Sequence, residues 1–167
     1  MKNIAIAMLL GAFVAAPAVA DDMYVGLKLG STKNEVQQVS NTSSIYGIYG
    51  GYRIIQNVAV EAGYTDLGSM ASGAVKISSV ELSGVGSIPI NEQFSLYVKL
   101  GLAQTAEKAP GLTVNRSTAT IGLGGLYNAT PTIDARFGVD VYGFGDEKTA
   151  LREGASVLLS ASAIYKF

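Results

Sequence analysis

The chain of 167 residues has no cysteine, no histidine and no tryptophan, and only four prolines. Without cysteine there is neither a disulfide framework nor a thiol-linked lipid anchor. Without histidine as well, both Cys-His and Ser-His-Asp catalysis are excluded. Only a carboxylate pair or a Lys-Ser dyad is left for enzymatic chemistry, so the chain is expected not to be an enzyme. No cluster with metal-ligand spacing is visible, and no cofactor is expected. The formal net charge is -1, and no basic patch is interleaved with aromatics, so there is no general attraction to nucleic acid. The stretch Gly122-Leu123-Gly124-Gly125 is not followed by a helical pattern. It reads as small residues in a curved strand and not as a phosphate loop.

Long apolar runs are missing too, except at the N-terminus. There Lys2 precedes an apolar run from Ile4 to Ala16, Pro17 breaks it, and Ala18-Val19-Ala20 forms an A-x-A site before Asp21 and Asp22. This is the pattern of a secretory signal peptide, and the run is shorter than the roughly 20 residues of a spanning helix. The expected organisation is a signal segment at 1–20 and one domain at 21–167. Asn41-Thr42-Ser43 matches a glycosylation sequon but reads as part of a polar loop.

What the chain does have is alternation. From Ala155 the odd positions are Ala155, Val157, Leu159, Ala161, Ala163, Tyr165 and Phe167, while the even ones include Ser156, Ser160, Ser162 and Lys166. Period two over so long a run marks a strand with one apolar and one mostly polar face. It exceeds the roughly 5–6 residues of an ordinary strand and suits a bilayer crossing of about 9–11 residues with aromatics at the interface. The same period recurs in seven earlier segments, most clearly in Phe94 to Glu107. There Phe94, Leu96, Val98, Leu100 and Leu102 oppose Ser95, Tyr97, Lys99, Gly101 and Ala103. Short turns at 55–57, 89–93 and 128–131 alternate with polar loops at 31–43, 68–73, 107–112 and 145–153. Eight strands with short and long connections in alternation predict an all-β, eight-stranded antiparallel up-and-down transmembrane β-barrel.

A soluble lipocalin-like barrel has the same strand number but points its apolar face inward. The polar face decides between the two. Its charges, Lys28, Glu61, Glu81, Lys99, Arg136 and Asp140, are interspersed with Gly, Ser, Thr and Ala rather than with the long polar side chains of a wet surface. That composition fits a narrow, filled lumen in which three bases and three acids pair, because each alone would be costly.

With these segments in place, the chain resembles the eight-stranded OmpA-like membrane barrel domain over residues 22–167. The resemblance is carried by YVGLKLG at 24–30, GGYRI followed by VAVEAGYTDLG at 50–68, LYVKLG at 96–101 and TPTIDARFGV at 130–139. It implies that Glu61 on the third strand and Arg136 on the seventh form an ion pair that blocks the pore, with Lys28 and Lys99 as further interior bases. Two positions depart from the pattern. Val85 stands where the family has an interior base, and Leu126 or Tyr127 stands where it has an acid. The chain also stops at Phe167, so a link to the cell wall is not expected.

The expected role is that of a small outer-membrane protein of the Gram-negative cell envelope with a structural or surface-interaction function and a plugged lumen. A narrow, low-conductance pore is the alternative, and a lipid-modifying enzyme a further one. Expected partners are outer-membrane lipids and lipopolysaccharide, and a possible extracellular ligand at the loops 31–43 and 145–153. The resemblance adds the barrel-assembly machinery, with the terminal aromatics Tyr165 and Phe167 as the assembly signal.

Overall fold

Alternating sequences can satisfy their backbone only by pairing with neighbours, and here the pairing closes on itself. The computed structural model describes residues 22–36, 39–70, 75–109, 112–144 and 154–167. Eight strands follow in order: β1 (Met23–Val36), β2 (Val39–Ile55), β3 (Val58–Met70), β4 (Val75–Pro89), β5 (Phe94–Ala109), β6 (Leu112–Asn128), β7 (Ile133–Phe144) and β8 (Gly154–Lys166). Each is antiparallel to the next, and β8 returns to β1 to complete a closed barrel. The seam runs from Tyr24↔Lys166 to Glu35↔Ala155, and the Phe167 amide donates to the Met23 carbonyl at 3.2 Å. Closure leaves no sheet edge, which is the condition for a strand structure in lipid. Among the described residues no helix is long and apolar enough to cross a membrane.

The period-two pattern sorts side chains cleanly between the two sides of the wall. On β5, Leu102 is 70% exposed while Ala103 beside it is 2% exposed. On β1, Leu27 and Leu29 face out and Lys28 between them is buried. The outward leucines, valines and isoleucines form a belt that covers Phe94 to Leu102 on β5, close to the roughly 9–11 residues of a tilted crossing. Beyond Leu102 the outward positions turn polar at Gln104, and on β6 at Ser117 and Asn115. Aromatics border the belt. At the short-turn end Phe94 packs on Tyr127 with centroids 4.8 Å apart, and Tyr165 meets Phe167 edge-on at 5.3 Å. Toward the other end Tyr46 is exposed and donates to Asp66 at 3.0 Å.

The short turns are held by their own side chains. Asn91 Oδ1 accepts from the amides of Gln93 (2.9 Å) and Phe94 (2.8 Å), and Thr130 Oγ1 accepts from the Ile133 amide (2.9 Å). At the opposite end the reading of loops from composition needs correction. Most of the stretch 31–43 is strand, since β1 continues to Val36 and β2 starts at Val39 with pairing unbroken from Ser31↔Ser44 to Val36↔Val39. In the same way β3 reaches Met70 before β4 starts at Val75, and β5 reaches Ala109 before β6 starts at Leu112. Serine and threonine mark contact with water rather than coil. They accept strand geometry once a partner supplies the ladder bonds. The expected loop at 145–153 lies outside the described residues. On β3 a register shift between Asp66 and Ser69 is accommodated by Gly68 at φ 83°, which glycine adopts without strain. The Gly68 amide donates to Asp66 Oδ1 at 2.8 Å.

The belt makes outward substitutions depth-dependent. Leu123→Arg, in the middle of the β6 crossing, is expected to lower the unfolding free energy of the refolded barrel by about 2–4 kcal/mol. Asn115→Arg, on the same strand and face but above the belt, should stay within about 0.5 kcal/mol of the parent. Equal effects in urea titration from lipid vesicles would remove the assignment of the belt.

Candidate functional site

Eight strands enclose a lumen just wide enough to be filled by side chains, and the filling here depends on tyrosines set against glycines. Tyr24 pairs with Gly51, and Tyr49 with Gly26. A side chain at either glycine would collide with the ring of its partner, and one at Gly138 would collide with the Tyr97 hydroxyl. The glycines therefore provide the floor over which the rings lie. Sequence reading took the small residues among the charges as fitting a narrow, filled lumen but did not find what these glycines make room for.

Along β7 the inward positions rise from the short-turn end as Asp134, Arg136, Gly138, Asp140 and Tyr142, and every polar one meets an opposite partner at its level. At the mouth Lys166 Nζ lies 2.6 Å from Asp134 Oδ1. Above it, Arg136 donates through both terminal nitrogens to Glu61, at 3.0 Å and 2.7 Å. Tyr24 donates to the same carboxylate at 2.6 Å. The Arg136 guanidinium is flanked by the rings of Tyr49 and Tyr97, at 5.1 and 4.9 Å from their centroids. A third level holds Lys99 between Glu81 (2.8 Å) and Asp140 (3.0 Å), with Lys28 at 3.4 Å from Asp140. Tyr142 donates to Glu81 at 2.8 Å, and Thr120 donates to the same carboxylate at 3.4 Å.

The six charges read from the sequence, Lys28, Glu61, Glu81, Lys99, Arg136 and Asp140, are thus all buried and all in contact with an opposite charge. They form two groups, Glu61–Arg136 and Lys28–Asp140–Lys99–Glu81, each summing to zero. Val85 is buried and Leu126 packs against an apolar cluster of Tyr24, Tyr49, Ala59 and Ile164. The two departures from the family pattern are therefore filled by apolar contact. Sequence reading put Lys166 on the polar face of the last strand but gave it no partner, and it missed the tyrosine donors. A buried tyrosine two or three strands from a buried acid is the signal that could have found them.

Beyond the third level the lumen ends in an apolar cluster of Ile45, Leu67, Ile77, Ala103, Tyr142 and Leu158, with Tyr142 and Leu158 wholly inaccessible. At the short-turn end a cavity of about 340 Å³ opens between Arg53, Asn57, Asn91, Asn128 and Lys166, and Arg136 lies in its lining. The lumen is therefore open at one end, crossed by ion pairs, and sealed by apolar side chains at the other. Among the described residues no group of His, Cys, Asp and Glu has the arrangement of a metal site.

Comparison with known proteins agrees with this architecture. A family model described as the OmpA-like transmembrane domain matches residues 18–167. Outer membrane protein A of Escherichia coli O157:H7 is 30% identical over 186 residues, covering 98% of this chain and 54% of that protein. The protein of the same name from Salmonella typhi is 30% identical over 190 residues, with the same coverage. The chain spans about half the length of the curated relatives it matches. Neisserial surface protein A superimposes with a TM-score of 0.71 at 21% identity, over 87% of this chain and 97% of that one. The N-terminal β-barrel domain of Pseudomonas aeruginosa OprF gives 0.60 at 16% identity, over 85% and 97%. At these identities the two structures attest the fold alone.

Truncating one member of a buried, doubly bonded pair leaves an uncompensated charge. Arg136→Ala is accordingly expected to destabilise the refolded barrel by about 3–5 kcal/mol. Glu61→Ala combined with it should cost clearly less than the sum of the two single changes. Strict additivity in a urea double-mutant cycle would show that the two side chains do not support each other.

Proposed function

This chain belongs to the OmpA-like transmembrane domain family and resides in the bacterial outer membrane, and we propose from the charge-filled lumen that it acts as a structural or surface-interaction barrel, not as an open channel or an enzyme. The observation that carries the reading is the crossing of the lumen by Glu61–Arg136 and by the Lys99 group. Moving a solute through would require both groups to part, and each charge would then stand uncompensated in a low-dielectric interior. The lumen is a stability core, and recognition is left to the ends of the barrel.

In this reading residues 1–20 are removed on export and residues 21–167 form the membrane domain. The short turns face the periplasm and the long hairpins the exterior, which follows the usual asymmetry of such barrels. The belt contacts membrane lipids, and the exposed hairpin ends meet lipopolysaccharide head groups. The hairpin over 31–43 and the segment 145–153 are the surfaces for an external ligand. Tyr165 and Phe167, edge to edge at the end of β8, are the assembly signal read by the barrel-assembly machinery.

Two measurements test this. In planar bilayers the purified barrel is expected to show at most slight conductance, and a large, stable open level would overturn the plugged reading. Phe167→Ala is expected to reduce the amount of folded protein in the outer membrane while leaving export intact. Unchanged membrane levels would remove the assembly role.

A further inference from the structure

A plugged lumen leaves the cavity at the short-turn mouth blind. Its volume of about 340 Å³ is at the lower end of the roughly 300–1,000 Å³ of small-molecule sites. The lining is of two kinds: buried or half-buried apolar side chains of Ala59, Val85, Leu126 and Ile164, and polar ones of the turns and strand ends, among them Asn57, Ser87 and Asn128. Two guanidinium groups in this lining have donors to spare. Arg53 follows Tyr49 and Gly51 on the inward side of β2, is half-buried, and makes no hydrogen bond or ion pair among the described residues. Arg136 gives both terminal nitrogens to Glu61, and its remaining donor, Nε, is buried with no hydrogen-bond partner. Of the acids in the lining, Asp134 is held by Lys166 at 2.6 Å, and Glu92 is exposed on the β4–β5 turn.

We propose that this mouth binds the C-terminal residue of a short peptide, with its carboxylate on Arg53, its acyl carbonyl on Arg136 Nε and an aliphatic side chain against Val85, Leu126 and Ile164. The charges assign the two polar ends. Glu61 lies 2.7 Å from the Arg136 guanidinium and repels an anion there, so the free donor of that group suits a neutral carbonyl. Arg53 has no acid within ion-pair distance, and a guanidinium fork matches a carboxylate. The walls assign the body. A sugar ring would need an aromatic face to lie on, and Tyr24 of the lining is 6% exposed with its ring laid over Gly51. A compact anion such as phosphate would leave the apolar lining uncovered, whereas a branched aliphatic chain covers it. Because ion pairs cross the lumen beyond, the ligand is held and not passed on. In the orientation proposed above it arrives from the periplasm.

Titration of the isotope-labelled barrel with N-acetyl-leucine in phosphatidylcholine nanodiscs, followed by the amide resonances, tests the site. Saturable shifts are expected at Asn57, Ser87 and Asn128. N-acetyl-leucinamide, which lacks the charge, should bind about tenfold more weakly, and N-acetylglycine, which lacks the aliphatic chain, should also lose affinity. Arg53→Gln should erase the preference for the acid over the amide. Arg53 supports no other described side chain, so this variant is expected to fold, as heat-modifiable gel migration will show; if it does not, the acid and amide arms on the parent barrel decide. Absence of shifts at the mouth, equal binding of acid and amide, equal binding of N-acetylglycine, an acid preference that survives Arg53→Gln, or the same shifts from inorganic phosphate would each overturn the proposal. None of these outcomes depends on the conductance of the barrel.

Discussion

Everything in this molecule depends on one constraint: within a bilayer, a backbone N–H or C=O without a partner costs several kcal/mol and no water is present to serve as that partner. A sheet meets the constraint only by closing, and β8 on β1 closes it here along nearly the whole length of β1. Closure with eight strands then determines the bore, and the bore determines what the inward positions can hold. The outward positions are left to lipid, which accounts for leucines that are more than half exposed and yet belong to the folded state. The short turns carry the least of this burden, because their backbone groups reach water or the side chains of Asn91 and Thr130.

A narrow bore makes two demands on its filling. Volume must be occupied, and the Tyr24–Gly51, Tyr49–Gly26 and Tyr97–Gly138 contacts do this by laying rings over bare backbone. Charge must be compensated locally, because compensation at a distance is weak against the cost of burial. The lumen answers with small neutral groups instead of one long chain of alternating charge. Tyr24, Tyr142 and Thr120 add neutral donors to two of the carboxylates, so that Glu61 and Glu81 have more bonds than their ionic partners alone supply. The rings of Tyr49 and Tyr97 offer their faces to Arg136 and complete its surroundings without adding charge. These features stabilise the barrel and obstruct it with the same atoms.

The two ends of the lumen are unlike. The short-turn mouth is polar and open down to Arg136, while the far end is sealed by Ile45, Leu67, Ile77, Tyr142 and Leu158. Water can therefore approach the Glu61–Arg136 pair from one side only. An apolar seal under the long hairpins isolates the charges from whatever those hairpins contact. The apolar cluster thus stands between the hairpins and the charge network below.

The fold was legible in the residues because alternation is a local property. Leu27-Lys28-Leu29 already states that the lysine and the leucines take opposite sides, and eight such runs with short connections leave little but a barrel. The side of each charge followed from the same parity. Composition failed where it was used as a proxy for conformation, at Ser31 to Ser43, because pairing with a neighbouring strand and not residue type decides whether a polar run is extended. What only the tertiary structure decided is which groups meet. The stagger of eight tilted strands brings Glu61 of β3 to Arg136 of β7, sets Lys99 of β5 between Glu81 and Asp140, and leaves Lys28 at arm's length from Asp140. Parity along one strand carries no information about height across the bore, and it is height that selects partners.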